Sequence, residues 1–402
     1  MDHAQRRRFL KTSLCVASGA LLGTSTSAWS QGAGKAKTAG SRKLVTRKLG
    51  RTGLELPVVN MGVMRADNPS LVRAALAEGM VLLDTAHGYQ RGRNEEMLGK
   101  VLADYPRESF VIATKVRLES GSSAESIRDF LSTVDISLER LKMKQVDILY
   151  AHGVDSRESG LNPVLLEALK QVKQSGRARF VGFSTHENEP DVIDAAVEGG
   201  VCDVVLTSVN FMQDHYALVK AAMKRAAAAG IGIVGMKTMA GGYFDKARSR
   251  RINCKAALKF VLQDENLSTT IPGITSFDQL SENAGVNTDI TMTEEERDAL
   301  VARNLEGGLY CQQCHHCVDS CRRGIRIHTY MRAFMYTYGY RDLRLAHGAL
   351  SEVGAEENPC RTCDACTARC VKGYPLRERI ADVQRVRMIP EDLLVDSGVG
   401  EA

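Results

Sequence analysis

The chain has 402 residues, of which 44% are hydrophobic and 25% are charged, and its formal net charge is +5. This length accommodates one large domain and a smaller one, and the composition is typical of a globular protein and not of a disordered chain. The small positive charge does not predict a nucleic-acid-binding protein.

The first thirty residues have the pattern of an export signal. A basic stretch at residues 6–11 (Arg-Arg-Arg-Phe-Leu-Lys) precedes an apolar run of small residues from Leu14 to Gly23, which is too short to span a bilayer. The stretch resembles the signal of the twin-arginine pathway, which carries folded proteins across a bacterial membrane, although Gln5 stands where Ser or Thr is usual. We therefore predict a signal peptide over residues 1–30, a flexible linker over 31–43, a periplasmic location and no membrane span after cleavage. A basic amphipathic tail is the alternative.

From Leu44 onward, short apolar runs rich in Val, Ile and Leu alternate with amphipathic segments of helical period. This alternation is typical of parallel strands covered by helices. An entry hairpin over residues 46–58 comes first. The eight candidate strands lie at 58–62, 81–84, 110–115, 147–152, 180–185, 203–208, 231–237 and 269–272. Each is followed by a segment of helical pattern, so residues 44–290 are predicted to form a TIM (β/α)8 barrel, with a doubly wound open sheet as the alternative.

Four residues of catalytic type lie at successive strand ends. Asp84 ends the second strand, Tyr89 lies in the loop after it, Lys115 ends the third strand and His152 ends the fourth. Because these ends meet at one rim of a TIM barrel, we expect the four side chains to converge. An ammonium group beside a phenol lowers the phenol pKa, a carboxylate keeps the ammonium charged, and an imidazole can orient a carbonyl oxygen. The pattern predicts a proton-donating site with Tyr89 as the donor.

The Asp-Thr-Ala-x-x-Tyr stretch at 84–89, the strand-end Lys115 and the strand-end His152 resemble the catalytic tetrad of the aldo-keto reductase family. The similarity extends over residues 44–286. It implies transfer of a hydride from a nicotinamide to the carbonyl carbon of a small aldehyde or ketone. It also implies an extended dinucleotide bound without a Rossmann fold, and the chain has no G-x-G-x-x-G motif.

The resemblance also implies a dinucleotide site formed by residues after the later strands. These residues are Ser184, Asn210, Met236, Lys237, Gly273, Gln279, Glu282 and Asn283. Many members place Lys and Arg against the 2′-phosphate at the positions of Gly273 and Gln279, so the choice between NADP(H) and NAD(H) stays open. Leu206 replaces a common Gln, and Met236-Lys237 replaces an aromatic residue. We interpret these departures as features of an iron–sulfur branch of the family, with loss of the cofactor site as the alternative.

Eight of the eleven cysteines form two runs with the spacing C-x2-C-x2-C-x3-C. This spacing is the bacterial ferredoxin signature for two 4Fe-4S clusters, in which the fourth cysteine of each run binds the other cluster. The predicted ligands are Cys311, Cys314, Cys317 and Cys370 for one cluster, and Cys360, Cys363, Cys366 and Cys321 for the second. Zinc is the alternative, but it needs only four thiolates. We interpret His315 and His316 as spacer residues, with replacement of a lost ligand by either as the alternative.

The full prediction is a barrel, a connecting helix over residues 291–304, a ferredoxin-like domain over 305–390 and a tail over 391–402. The predicted function is an exported oxidoreductase of aldo-keto reductase type that acts on a small carbonyl substrate, accompanied by a two-cluster electron-transfer domain and a possible redox partner protein. A nicotinamide exchanges two electrons at once, whereas each cluster moves one, so direct transfer between them is not predicted. The alternative is an electron-transfer or redox-sensing protein that uses the barrel as a scaffold.

Overall fold

A computed structural model describes residues 43–119, 123–245, 247–305, 308–354, 358–390 and 393–394. The predicted signal peptide, nearly all of the predicted linker and most of the predicted tail lie outside these ranges. No helix within the described ranges combines the length and the apolar character that a membrane span requires.

Within the described residues, ten strands form two sheets. They are β1 (Thr46–Lys48), β2 (Glu55–Pro57), β3 (Met61–Gly62), β4 (Leu82–Asp84), β5 (Val111–Val116), β6 (Val146–His152), β7 (Ala178–Thr185), β8 (Val204–Ser208), β9 (Gly232–Met236) and β10 (Thr269–Thr270). Strands β1 and β2 pair antiparallel as the predicted entry hairpin. Strands β3 to β10 pair in sequence order as one parallel sheet, and parallel bridges from Val59 to Thr270 and from Gly62 to Gly273 join its two edges. The predicted TIM barrel is confirmed.

Helices cover the outside of the sheet and build the C-terminal segment. They are α1 (Pro69–Ala77), α2 (Arg93–Leu102), α3 (Ser123–Leu141), α4 (Arg157–Gly160), α5 (Pro163–Gln174), α6 (Glu189–Gly199), α7 (Tyr216–Ala228), α8 (Cys254–Leu262), α9 (Phe277–Val286), α10 (Glu294–Leu305), α11 (His316–Asp319), α12 (Ile327–Met335), α13 (Leu343–Ser351) and α14 (Leu376–Gln384). Every pair of consecutive barrel strands is therefore connected through at least one helix, as a parallel sheet requires.

The first barrel strand is shorter than predicted. The sequence predicts a strand over residues 58–62, but β3 covers only Met61–Gly62. The side chain of Asn287 takes part of the place of a neighbouring strand, because its Oδ1 accepts from the Val59 N–H at 2.7 Å and its Nδ2 donates to the Val59 carbonyl at 2.8 Å. The sequence around Val59 therefore has the apolar pattern of a strand, although the backbone hydrogen bonds of the sheet are interrupted there.

The barrel strands are buried on both faces. Ile148, Tyr150 and Val234 belong to a core inside the barrel, and Ile112 and Leu149 belong to a larger core between strands and helices. Burial on both sides explains why the strands appear in the sequence as continuous apolar runs and not as an alternating pattern.

The C-terminal segment (residues 308–394) has a separate core that includes Tyr310, Phe334 and Ile380. It follows α10, whose first turn is stabilised by a capping box between Thr293 and Glu296. Helix α12 continues into a π-helical turn over Tyr336–Tyr340. Such turns are rare and frequently lie at functional sites.

The C-terminal segment packs on the rim of the barrel. Gly241 adopts φ +100°, and a Cβ atom at this position would lie 2.4 Å from Cδ2 of Tyr310. Only glycine combines this backbone conformation with so close an approach. Lys372 on the C-terminal segment also forms an ion pair with Asp214 of the barrel at 2.8 Å. The segment therefore covers the end of the barrel at which the strands terminate.

Candidate active site

A cavity of about 970 Å³ opens at the C-terminal ends of the barrel strands. Its wall includes Asp84, Tyr89 and His152 from the barrel, and Arg332 and Tyr336 from the C-terminal segment. The volume is within the range of cofactor and substrate sites, which usually lie at this face of a TIM barrel. The structure thus brings three of the four predicted catalytic residues to one cavity.

The fourth, Lys115, lies directly beneath it. Its side chain is 1% exposed, its Nζ forms a short ion pair with Asp84 Oδ1, and it also donates to the Thr85 carbonyl at 2.6 Å. The register of the sheet produces this pair, because β4 and β5 are neighbours and both residues lie at the rim. Burial raises the pKa of Asp84 and lowers that of Lys115, and in each case the partner's charge opposes the effect.

Tyr89 begins a short helical turn that contains two left-handed residues, Gln90 and Arg91. Its ring centroid lies 5.0 Å from Lys115 Nζ and 6.1 Å from the His152 ring. Burial raises the pKa of Tyr89 well above its usual value, and the Asp84 carboxylate acts in the same direction. The expectation of a lowered pKa is therefore wrong for this arrangement, because burial of the phenol raises its pKa most. The phenol stays protonated at neutral pH.

His152 ends β6 and faces Tyr89 on one side and His186 on the other, at 6.1 and 6.4 Å between ring centroids. Burial lowers the pKa of His152 well below its usual value, and the nearby charges of Lys115, Arg117 and Arg332 lower it further. The imidazole is therefore neutral at neutral pH and can hydrogen-bond to an uncharged oxygen. His186 has a pKa lowered mainly by burial as well.

Several buried polar atoms near the four predicted catalytic residues have no hydrogen-bond partner among the described residues. They are Ser184 Oγ, Ser208 Oγ, Lys237 Nζ and Thr238 Oγ1. Of these residues, Lys237 and Thr238 line the cavity, whereas Ser184 and Ser208 are not among its lining residues. Buried polar groups of folded proteins are normally paired, so unpaired ones at a cavity indicate a ligand. Hydroxyls suit a carboxamide and an ammonium suits a phosphate, so this donor set fits a nicotinamide dinucleotide.

The other residues predicted for the dinucleotide are distributed unevenly. Met236, Lys237, Gly273, Gln279 and Asn283 line the cavity. The Gln279 amide oxygen is occupied within its own loop, where it accepts from the Thr275 N–H at 2.8 Å.

Asn210 and Glu282 are directed elsewhere. Asn210 Nδ2 donates to Gln312 of the C-terminal segment at 2.9 Å, and Asn210 Oδ1 accepts from the Met212 N–H at 2.9 Å. Glu282 forms an ion pair with Arg251 at 2.7 Å. Asn210 thus joins the barrel to the C-terminal segment through one bond at each end of its amide, and neither Asn210 nor Glu282 is among the residues that line the cavity. A dinucleotide contact of these two residues stays a prediction.

The C-terminal segment contributes groups that the sequence did not reveal. Tyr336 lies with its ring 5.6 Å from Lys237 Nζ, and both Tyr336 and Tyr340 are close enough to raise the pKa of Tyr89. Arg332 is 7% exposed although it lies between Met331 and Ala333 in an apolar helix. The sequence feature that could have revealed Arg332 is an arginine inside an apolar stretch, because a buried charge needs a partner.

Glu187, which follows β7, connects the barrel to the same segment. Its carboxylate lies 2.6 Å from His328 Nε2, 3.2 Å from His315 Nε2 and 3.3 Å from Arg326. The rings of His315 and His328 are stacked at 4.1 Å. Arg326 also reaches Asp155 at 3.3 Å. We interpret this group as an ionic contact between the two parts of the chain; His315 thus faces Glu187 and does not replace a cysteine.

The eight cysteines form two groups of four, in which the thiols lie close enough to affect one another's pKa. Burial raises the pKa of the Cys311 thiol, and the nearby thiols of Cys314, Cys317 and Cys370 raise it further. The second group consists of Cys360 with Cys363, Cys366 and Cys321. In both groups the fourth member comes from the other run, although Cys317 also lies close enough to Cys321 for its pKa to be affected. The assignment of four ligands to each cluster stays a prediction.

Comparison with known proteins agrees with both parts. Residues 59–255 match the model of the aldo/keto reductase family, and residues 310–375 match that of the 4Fe-4S dicluster domain. An L-galactose dehydrogenase of Arabidopsis thaliana is 27% identical over 303 residues, which cover 64% of this chain and 92% of that protein. An uncharacterized oxidoreductase of Bacillus subtilis is 26% identical and covers 63% of this chain and 94% of its own length.

Among solved structures, the holo form of an aldo-keto reductase from Bacillus halodurans superposes with a TM-score of 0.53 at 23% identity, covering 65% of this chain and 96% of that one. At this identity the likeness supports the fold. The two matching family models identify an aldo/keto reductase domain in this chain, followed by a 4Fe-4S dicluster domain.

Proposed function

We propose that the protein reduces the carbonyl group of a small aldehyde or ketone with a nicotinamide cofactor, and that Tyr89 donates the proton. The observation that carries the proposal is the buried ion pair of Lys115 and Asp84 next to the Tyr89 ring and the neutral His152, at the wall of a cavity large enough for both reactants. The bound nicotinamide would supply the hydride. The unpaired atoms of Ser184 and Lys237 would hold its carboxamide and a phosphate.

In this proposal each residue of the group has a separate task. His152 donates its N–H to the carbonyl oxygen and thereby orients the substrate. Tyr89, which is protonated at neutral pH, passes its proton to the same oxygen as negative charge develops there. Lys115 remains fixed by Asp84 and Thr85, and its ammonium stabilises the phenolate that forms.

The variant Tyr89→Phe tests this assignment. It removes the donated proton and retains the ring, so carbonyl reduction should slow by about 10²–10⁴-fold while dinucleotide binding is unchanged. Tyr150→Phe is the matched control, because Tyr150 is fully buried in the barrel and its hydroxyl has no hydrogen-bond partner among the described residues. An unchanged rate in Tyr89→Phe would exclude Tyr89 as the donor.

We further propose that the C-terminal segment holds two 4Fe-4S clusters with exchanged fourth ligands. The purified protein should then contain about eight irons and absorb broadly near 400 nm. The exchange is tested in a background in which Cys360, Cys363 and Cys366 are replaced by Ser, which leaves one cluster. In that background Cys370→Ser should abolish the remaining absorbance and Cys321→Ser should not. The opposite result would mean that each run binds its own cluster.

The proposal also includes export in the folded state. Clusters are assembled in the cytoplasm, and the motif at residues 6–11 suits a pathway that accepts folded cargo. Residues 1–30 fused to a folded reporter should direct it to the periplasm, and Arg6→Lys with Arg7→Lys should retain it in the cytoplasm. Because free dinucleotide is scarce outside the cytoplasm, we expect the exported protein to carry its cofactor bound.

An electron-transfer or redox-sensing protein with the barrel as scaffold is the competing function. It is favoured by Asn210, whose side chain is used for contact with the C-terminal segment. Titration with NADPH and NADH separates the two functions. A reductase binds at least one of them, and a scaffold binds neither.

A further inference from the structure

Two arginines from different parts of the chain meet at one carboxylate in the cavity. Arg117 follows β5 of the barrel, and Arg332 belongs to α12 of the C-terminal segment. Arg332 forms a short ion pair with Glu352 Oε2, while Nη2 of Arg117 lies 3.6 Å from Glu352 Oε1. Each guanidinium thus faces one oxygen of the same carboxylate, an arrangement that suits the planar, two-oxygen shape of this group.

This pair of arginines lies beside the proposed active-site histidine. Gly153 directly follows His152, and a Cβ atom at Gly153 would lie 3.2 Å from Nη2 of Arg117. Both arginines also contribute to the lowered pKa of His152, so their charges face its ring. All four residues, together with Glu352, line the same cavity. A ligand held by the arginines would therefore reach the group that orients the carbonyl.

The two arginines can bind a ligand in addition to, or in place of, Glu352. A separation of 3.6 Å is an ion pair and not a hydrogen bond, so the contact with Glu352 leaves the N–H groups of Arg117 on this side available. Arg332 is 7% exposed, and a buried guanidinium requires an anion. Glu352 is the more exposed partner, at 27%, and it lies just after the end of α13. It can leave the site at lower cost than Arg332.

We propose that Arg117 and Arg332 form a binding site for a carboxylate group of the substrate, and that Glu352 occupies this site until the substrate carboxylate replaces it. The preferred substrates are therefore carbonyl compounds that also bear a carboxylate. This inference rests on the proposed carbonyl reduction. It assigns a substrate-binding task to the C-terminal segment, which supplies both Arg332 and Glu352.

The test compares two aldehydes of nearly equal shape, 4-carboxybenzaldehyde and its neutral methyl ester, with the cluster-loaded protein. Arg332→Gln should raise KM for the acid about tenfold or more, since hydrogen bonds between charged groups contribute about 1.5–3 kcal/mol, and should change KM for the ester less than twofold. Glu352→Gln should lower KM for the acid and leave that for the ester unchanged. Arg177→Gln is the control, because Arg177 forms an ion pair with Asp135 at 2.6 Å and neither residue is among those that line the cavity.

The two variants should change KM for the acid in opposite directions only if Arg332 belongs to the carboxylate-binding site and Glu352 occupies that site. Equal effects on acid and ester, or the same sign for both variants, would overturn the inference. If neither aldehyde is reduced, the proposed function fails separately, and the site is then tested by calorimetric titration with benzoate. Glu352→Gln should bind benzoate more tightly than the unaltered protein, and Arg332→Gln should lose the binding. Equal benzoate affinity in all three proteins would refute the site.

Discussion

Lys115→Met is the change whose effect on stability follows most directly from the structure. The substitution keeps the length of the side chain and removes its charge, so that the Asp84 carboxylate is left buried without its partner. The side chains of Lys115 and Asp84 are 1% and 4% exposed, and Asp84 Oδ2 has no hydrogen-bond partner among the described residues. Loss of one member of such a pair costs about 3–5 kcal/mol of unfolding free energy.

For a domain of this size the cost corresponds to a fall of roughly 6–20 °C in melting temperature, which circular dichroism can follow. The double variant Lys115→Met with Asp84→Asn should recover much of the loss, because no charge then remains buried. Arg225→Gln is the control: its pair with Asp194 is 53% and 36% exposed, and an exposed pair contributes about 0–1 kcal/mol.

The same variant should show a pH dependence of known sign. Without Lys115, burial raises the pKa of Asp84 further above its unfolded value of about 3.9. A raised carboxylate pKa destabilises the folded state above that value, and the penalty shrinks as pH falls towards it. The deficit of Lys115→Met should therefore be smaller at pH 5 than at pH 8. A deficit below about 1 kcal/mol, or one that the double variant does not reduce, would refute the reasoning.

Two further predictions concern the rim of the barrel and the proton donor. Gly241→Ala should lower the melting temperature more than Gly242→Ala, because both positions have positive φ but only Gly241 faces Tyr310 at 2.4 Å from the added Cβ. Equal losses would show that backbone strain, and not the contact, is responsible. Because the pKa of Tyr89 is raised well above 10, the rate of carbonyl reduction should stay level from pH 7 to 9; a decline within this range would contradict the raised pKa.

The sequence was sufficient to place the barrel and the group around Tyr89. Each of these residues occupies a strand end, and a parallel barrel brings its strand ends to one rim whatever their separation in sequence. The two groups of cysteines could be predicted for a similar reason, because cluster geometry fixes the spacing of the ligands within a run.

The residues that the C-terminal segment contributes to the cavity wall could not be predicted from strand ends or from the spacing of a motif. Arg332 lies 180 positions after His152, on a helix whose orientation depends on how the segment packs, and no local pattern encodes that packing. The direction of the Tyr89 pKa shift could not be predicted either, because it depends mainly on burial and also on Tyr336 and Tyr340 of the added wall. The contact of Asn210 with Gln312 has the same origin, since Gln312 belongs to the C-terminal segment.

The cover formed by the C-terminal segment changes how cluster chemistry should be interpreted. Arg332 and Tyr336 are held on α12 and the turn after it, and the core beneath them includes Cys317 and Cys360. Oxidative loss of a cluster would release these cysteines and disturb the wall of the active site. Activity that disappears with the clusters is therefore not by itself a sign that electrons pass through them. On the proposed function, oxidative loss of a cluster would weaken substrate binding as well as electron transfer, because one segment carries both the cluster ligands and part of the cavity wall.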